Sequence, residues 1–326
     1  MIRTVSGDVD PAVLGRVDYH EHLFQVSPLL PGDDLDDEDA SRAEAGLLVD
    51  SGFTAMVDAT PIGLGRRPAA LARIAAATGL HVVATTGVHR DAHYGAGHWL
   101  TGRSADQLAR LFIRDLVAGM PESDSPSTDS PSTDSPSTDS PRADPTGVRA
   151  GLLKAGVDYW SISPTADRVL AAIGQAHAAT GAPVMVHLEH GSAAFEVLDR
   201  LAARGVPADA VALAHIDRNP DPGLHAELAA AGAYLGYDGV ARHKDWPDSV
   251  VLDCLVAAAG QGAADRILLG GDVARRTRYI AYGGLPGLAY LGERFVPRLV
   301  RAGGAELADR VLQANPARWL TLRRSG

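Results

Sequence analysis

Short runs of aliphatic and β-branched residues return along this chain at near-regular intervals, each separated from the next by an alanine-rich stretch of helical character. The runs are Phe53 to Thr60, His81 to Val88, Ala150 to Val157, Pro183 to His190, Ala210 to Asp217, Ala233 to Gly239 and Arg266 to Asp272. Val17-Asp18-Tyr19, ahead of His20, makes eight. Helical stretches end on Gly52, Gly79, Gly181, Gly205 and Gly232, just before the next run, where a left-handed cap is wanted. Eight strands, each followed by a helix, argue for an α/β fold of the (β/α)8 TIM-barrel type over an open doubly wound sheet. With 326 residues, 46% of them hydrophobic, the chain can bury one large core, so a single domain over 1–326 is expected.

One segment breaks the rhythm. The pentad Asp124-Ser125-Pro126-Ser127-Thr128 repeats through Pro141, with a proline and an acid in every unit and no core-forming residue. Residues 121–146 are therefore expected to be a low-complexity, disordered loop inserted between the third helix and the fourth strand. The remaining composition narrows the partners. Forty acidic against 30 basic residues give a formal charge of -10, which disfavours non-specific attraction to nucleic acid or an anionic membrane surface. Cys254, the single cysteine, cannot form an internal disulfide, the start Met1-Ile2-Arg3-Thr4-Val5 lacks the long apolar core expected of a signal peptide, and no apolar run approaches roughly 20 residues. A small-molecule substrate and a cytoplasmic location are expected.

Chemistry-bearing residues collect at the carboxyl ends of the runs, the face on which barrels of this kind build their sites. His20 and His22 lie two apart, so on a strand they point the same way and can share one ion. His187, His215 and Asp272 each close a later run. A lone histidine at a strand end is more often a hydrogen-bonded structural residue, but four of them with a carboxylate read as a metal site. Lys154 sits inside the apolar run Ala150 to Val157, where a buried lysine needs a chemical reason.

Together with these positions, Asp18-Tyr19-His20-Glu21-His22, Gly63-Leu64-Gly65-Arg66, Gly147-Val148-Arg149-Ala150-Gly151-Leu152-Leu153-Lys154, Gly270-Gly271-Asp272 and Asn315-Pro316-Ala317-Arg318 resemble the phosphotriesterase family of the amidohydrolase superfamily over nearly the whole chain. The resemblance implies a binuclear site. His20, His22 and Asp272 would hold the more buried ion, His187 and His215 the more exposed one, and Lys154 would bridge both. A plain ammonium has three donors and no acceptor, so the bridge implies a lysine carbamylated by carbon dioxide. A Schiff-base lysine is the rival reading. Zinc is the first guess, with manganese, cobalt or iron open. Two ions would hold an activated hydroxide, and Asp272 would orient it and take its proton. Asp217, two residues after His215, is either a partner of the site, a proton relay or a simple loop cap.

Basic residues follow the last two strands: Arg242, His243 and Lys244, then Arg275, Arg276 and Arg278, with the Tyr279 hydroxyl alongside. Barrels often bind phosphate there. Within the family, Tyr237 to Lys244 and Gly271 to Arg276 look like the branch that hydrolyses sugar lactones, several of them phosphorylated. The expected activity is therefore a lactonase acting on a phosphorylated sugar 1,4-lactone, with Lys244, Arg275, Arg278 and Tyr279 on the phosphate. The alternative is a phosphotriesterase-like ester or amide hydrolase. His89 stands where the acyl-homoserine lactonase branch usually has tyrosine, and Tyr237-Asp238 where it shows an aspartate-arginine pair. An aromatic content of 5% argues against an organophosphate pocket. The family suggests a homodimer, and Trp160, Trp246 and Trp319 are expected as packing or loop anchors.

Overall fold

The computed structural model describes residues 1–95, 97–124, 146–242 and 246–323. An antiparallel hairpin of β1 (Ile2–Thr4) and β2 (Gly7–Val9) precedes the barrel. The barrel strands are β3 (Val17–Glu21), β4 (Ala55–Asp58), β5 (His81–Gly87), β6 (Leu152–Val157), β7 (Val184–Leu188), β8 (Val211–Ala214), β9 (Tyr234–Tyr237) and β10 (Ile267–Leu269). They pair in sequence order, all parallel. The Asp272 amide donates to the His20 carbonyl at 2.8 Å and brings the last strand back to the first. All eight expected strands are present, seven of them shorter than their apolar runs and β3 two residues longer. Gly52, Gly79, Gly181, Gly205 and Gly232 all have positive φ, as the caps require.

Period-2 alternation sorts the side chains into two cores. Met56, Leu153, Val186 and Leu213 face outward against the helices, among them α1 (Glu38–Asp50), α2 (Pro68–Thr78), α3 (Ala105–Val117) and α4 (Pro164–Thr180). Ala55, Val57, Leu152, Met185, Ala212 and Leu268 face the barrel interior, which Ile2, Trp319 and Leu320 also help to fill. Lys154 shares the inward face of Leu152, and His187 that of Met185. Gly87 lies beside Lys154: a Cβ there would come within 2.0 Å of the Lys154 carbonyl oxygen, so only glycine lets the strands approach.

Two local irregularities turn ligand-type residues inward. In β3 the register against β4 shifts between Asp18 and Glu21, a bulge that sets both Tyr19 and His20 inside the barrel. At the end of β8, His215 adopts φ 64°, which breaks the alternation after inward Ala214 and swings the imidazole into the mouth. Among the described residues, the non-glycine positive-φ positions are Trp160, His190, Ala193, His215, Ala241, Asp272 and Ala274. Every one lies beyond the carboxyl end of a barrel strand. No helix among the described residues is long and apolar enough to cross a membrane.

Of the segment expected as a disordered loop, residues 121–124 and 146 are described, between α3 and β6. Asp124 accepts from Arg66 Nε at 2.8 Å and from the Gly63 amide at 2.9 Å, so residues 121–124 belong to the ordered surface of the barrel. Residues 125–145 lie outside the described residues.

Candidate metal centre

Each of the four histidines has one ring nitrogen committed to a neighbour, which leaves the other for an ion. His20 Nδ1 lies 3.0 Å from Asp238 Oδ2, and His215 Nδ1 lies 2.6 Å from Asp238 Oδ1. His22 Nδ1 lies 2.7 Å from Thr60 Oγ1, and His187 Nε2 lies 2.9 Å from Glu189 Oε2. Such partners fix ring orientation and tautomer, and metal-ligating histidines almost always have them. On the free side, His20 Nε2 and His22 Nε2 stand 3.8 and 3.7 Å from Asp272 Oδ1. Ligand atoms at tetrahedral angles around an ion about 2.0–2.2 Å away would be roughly 3.4 Å apart, so the three fit one ion after a small contraction. His20, His22 and Asp272 form one buried group able to hold a metal, and His20, His215 and Asp238 another.

The electrostatics favour ligands in their binding form. Burial holds His22, His187 and His215 well below the ordinary histidine range, hence neutral with a lone pair to give. Burial would raise Asp272, yet Arg242 beside it, with His20 and His215, holds its carboxyl well below the usual range. The Arg242 guanidinium donates to both the carboxylate and the carbonyl of Asp272. Lys154 is 1% exposed, its Nζ donates to the Ala59 carbonyl at 2.8 Å, and burial pushes its ammonium down to about 8. A neutral amine is the form that reacts with carbon dioxide, so the side chain suits a carbamate.

These groups line a cavity of about 350 Å³ at the carboxyl ends of the strands, together with His89, His93 and the guanidinium residues Arg90, Arg218, Arg242 and Arg275. All six expected metal-site residues meet there. Of the expected phosphate residues that are described, Arg275 lines the cavity and Arg278 and Tyr279 do not. Arg275 is on the wall, with Nη1 3.3 Å from Asp33 Oδ2. Tyr279 is fully buried behind the site, its hydroxyl donating to the His22 carbonyl at 2.6 Å, so it braces the backbone of a ligand residue and does not line the cavity. Arg278 turns to the carbonyls of Ala241 at 3.0 Å and Val273 at 3.4 Å, which ties two mouth loops together away from the cavity. Lys244 and His243 lie outside the described residues. Asp217 takes the role of a loop cap, accepting the amides of Asp238 at 3.0 Å and Gly239 at 2.7 Å. Of the tryptophans, Trp319 packs in the core, whereas Trp160 and Trp246 are exposed.

Sequence reasoning missed Asp238, which lies in the short motif Tyr237-Asp238-Gly239 and reads as a turn. It is 0% exposed, and besides the two histidines it accepts from the Tyr19 hydroxyl. The available signal was a carboxylate directly at the end of an apolar run, the same signal that marked Asp272. Arg218 and Arg90 were missed because loop arginines rarely announce a buried wall.

A family model described as the Phosphotriesterase family matches residues 1–125 and 140–320. A phosphotriesterase homology protein of Mycobacterium tuberculosis is 33% identical over 288 residues, covering 83% of this chain and 80% of the relative. A phospho-furanose lactonase of Mycoplasmopsis synoviae is 28% identical, covering 98% of this chain and 91% of the relative. Among solved structures, a lactonase from Listeria monocytogenes superposes with a TM-score of 0.87 at 29% identity, covering 99% of each chain. A barrel that gathers four histidines, a lysine and an aspartate at its mouth, and a family match that omits little more than the pentad repeat, mean that the chain belongs to the phosphotriesterase family, the metal-dependent hydrolases of the amidohydrolase superfamily.

Proposed function

We propose that the chain is a lactonase that opens a phosphorylated sugar 1,4-lactone. The observation that carries this reading is the cavity itself: in a chain of net charge -10, Arg90, Arg218, Arg242 and Arg275 all border the space above the metal-type ligands. Each also pairs with a neighbouring carboxylate, and four guanidinium groups at one mouth still favour an anionic substrate over a cationic one. The likeness to lactonases, one of them a phospho-furanose lactonase, supports the same class.

In this reading His20, His22 and Asp272 hold one divalent ion and His187 and His215 the other, with carbamylated Lys154 shared between them. Zinc suits the imidazole and carboxylate donors, as do manganese, cobalt and iron. The ions supply Lewis acidity toward the lactone carbonyl and lower the pKa of the attacking water. The chain does the rest. Asp238 keeps two imidazoles in one tautomer, Glu189 and Thr60 fix the other two, and the Asp272 carboxylate takes the proton of the attacking water. Arg275, with Lys244, grips the phosphate and sets the carbonyl over the centre.

The test is hydrolysis of pentono-1,4-lactones with and without a 5-phosphate, followed by proton release, on enzyme loaded with divalent metal and bicarbonate. A strong preference for the phosphorylated members, reduced in Arg275→Ala mainly through KM, is expected. Equal turnover of both series would remove the phosphate role, and hydrolysis of neither would move the activity to esters or amides.

A further inference from the structure

Beside the metal cavity a second depression of about 680 Å³ opens over the loops that follow β6, β7 and β8. Glu189 and Arg218 form part of the wall of both, so the two spaces adjoin. Tyr159 and Trp160 line the groove with 61% and 64% of their surface exposed, in a chain only 5% aromatic. Large apolar side chains left in water forgo their burial free energy, so two adjacent ones call for an occupant.

The platform is held in place. Trp160 sits at φ 47° and His190 at φ 52°, strained conformations that persist only where neighbours enforce them. The Trp160 amide donates to Ser192 Oγ at 3.0 Å, and that hydroxyl donates to the Glu189 carbonyl at 2.7 Å, latching one loop to the next. His190 stands edge-on to Tyr159, with ring centroids 6.0 Å apart at 87°. Around the rings lie Asn219, Ser192, His190 and Arg218, whose buried Nε has no hydrogen-bond partner among the described residues.

Aromatic faces rimmed by mixed donors and acceptors match a sugar ring, apolar on its C–H faces and hydroxylated at its edge. A hydrocarbon ring would leave the polar rim unused, and a phosphate would gain nothing from the aromatic faces. In the strand order β6 stands across the barrel from β10, so the groove faces the Arg275 side across the metal cavity. We propose that the groove is an accessory sugar subsite, which takes a glycosyl substituent of the lactone whose carbonyl lies in the metal cavity; this rests on the lactonase reading.

The experiment compares kcat/KM for melibiono-1,4-lactone, which carries a galactosyl group on O6, with glucono-1,4-lactone, in the wild type and in Trp160→Ala and Tyr159→Ala. One stacked ring predicts a preference of about tenfold for the glycosylated lactone, and each variant should cut that ratio toward unity. Equal values in the wild type, or a ratio that survives both variants, overturns the subsite. Calorimetric binding of melibionic and gluconic acids separates the two claims. Trp160-dependent binding of melibionic acid, with no hydrolysis of these lactones or of the 5-phosphorylated pentono-1,4-lactones, keeps the subsite and removes the lactonase reading. Hydrolysis of simple lactones without that binding does the reverse. Loss of a dimer on sedimentation of both variants, with no ratio to lose, makes the groove a contact between two copies and overturns the proposal.

Discussion

Asp238 shows how much of this site depends on a side chain that need not touch an ion. One buried carboxylate accepts from Tyr19, His20 and His215. Asp238→Asn keeps the size but replaces one acceptor with a donor that faces a ring N–H. Metal affinity should fall about 10–100-fold, read by ion content after dialysis against graded free metal. Unchanged affinity would mean that the histidines hold their orientation without it. Tyr279 supplies a contrasting case. Removing its hydroxyl in Tyr279→Phe orphans the buried His22 carbonyl and should cost about 1–3 kcal/mol in denaturant unfolding. The preference for phosphorylated over neutral lactone should not move. Sequence pattern could find His20, His22, His187, His215, Lys154 and Asp272 because each ends or interrupts an apolar run. It misplaced Tyr279 because proximity to Asp272 in the chain says nothing about which side of the wall a ring occupies.

At the scale of elements, the strands were legible because a parallel strand in a barrel is buried on both faces and so writes a continuous apolar run. The bulge in β3 and the left-handed turn at His215 were not legible, since both depart from the alternation on which such reading depends. The junction of the pentad repeat was half legible. Arg66, 3% exposed at its side chain, lies 2.8 Å from Asp115 and 2.7 Å from Asp124, and Asp115 is completely buried. Arg66→Ala would leave that carboxylate with Arg114 as its remaining counter-charge, 2.7 Å away, and should cost about 1–3 kcal/mol. Deleting 126–139, the stretch that the family match passes over, should leave turnover and melting temperature as they are. Deleting 123–141 removes Asp124 as well and should lower the melting temperature. Equal behaviour of the two deletions would show that the Asp124 contacts contribute nothing.

For the whole molecule, binding to the folded state alone couples metal to stability. Chelation should abolish hydrolysis and lower the melting temperature while circular dichroism keeps its folded signature, and divalent metal with bicarbonate should restore activity. A chain that unfolds outright on chelation would owe its barrel to the ions. The positive-φ side chains give the molecule a further asymmetry. All seven described non-glycine cases stand at the mouth, whereas glycine takes such conformations at the far end, as at Gly52, Gly79 and Gly181. Ala193→Gly or Ala241→Gly, which relieve a left-handed alanine, should therefore leave stability unchanged or raise it by up to about 1 kcal/mol in chemical denaturation, a reversal of what glycine does in ordinary backbone. The barrel thus has a relaxed end that can absorb tension generated at the other, which is the arrangement that allows mouth loops to be exchanged in evolution while the scaffold stays above its threshold for folding.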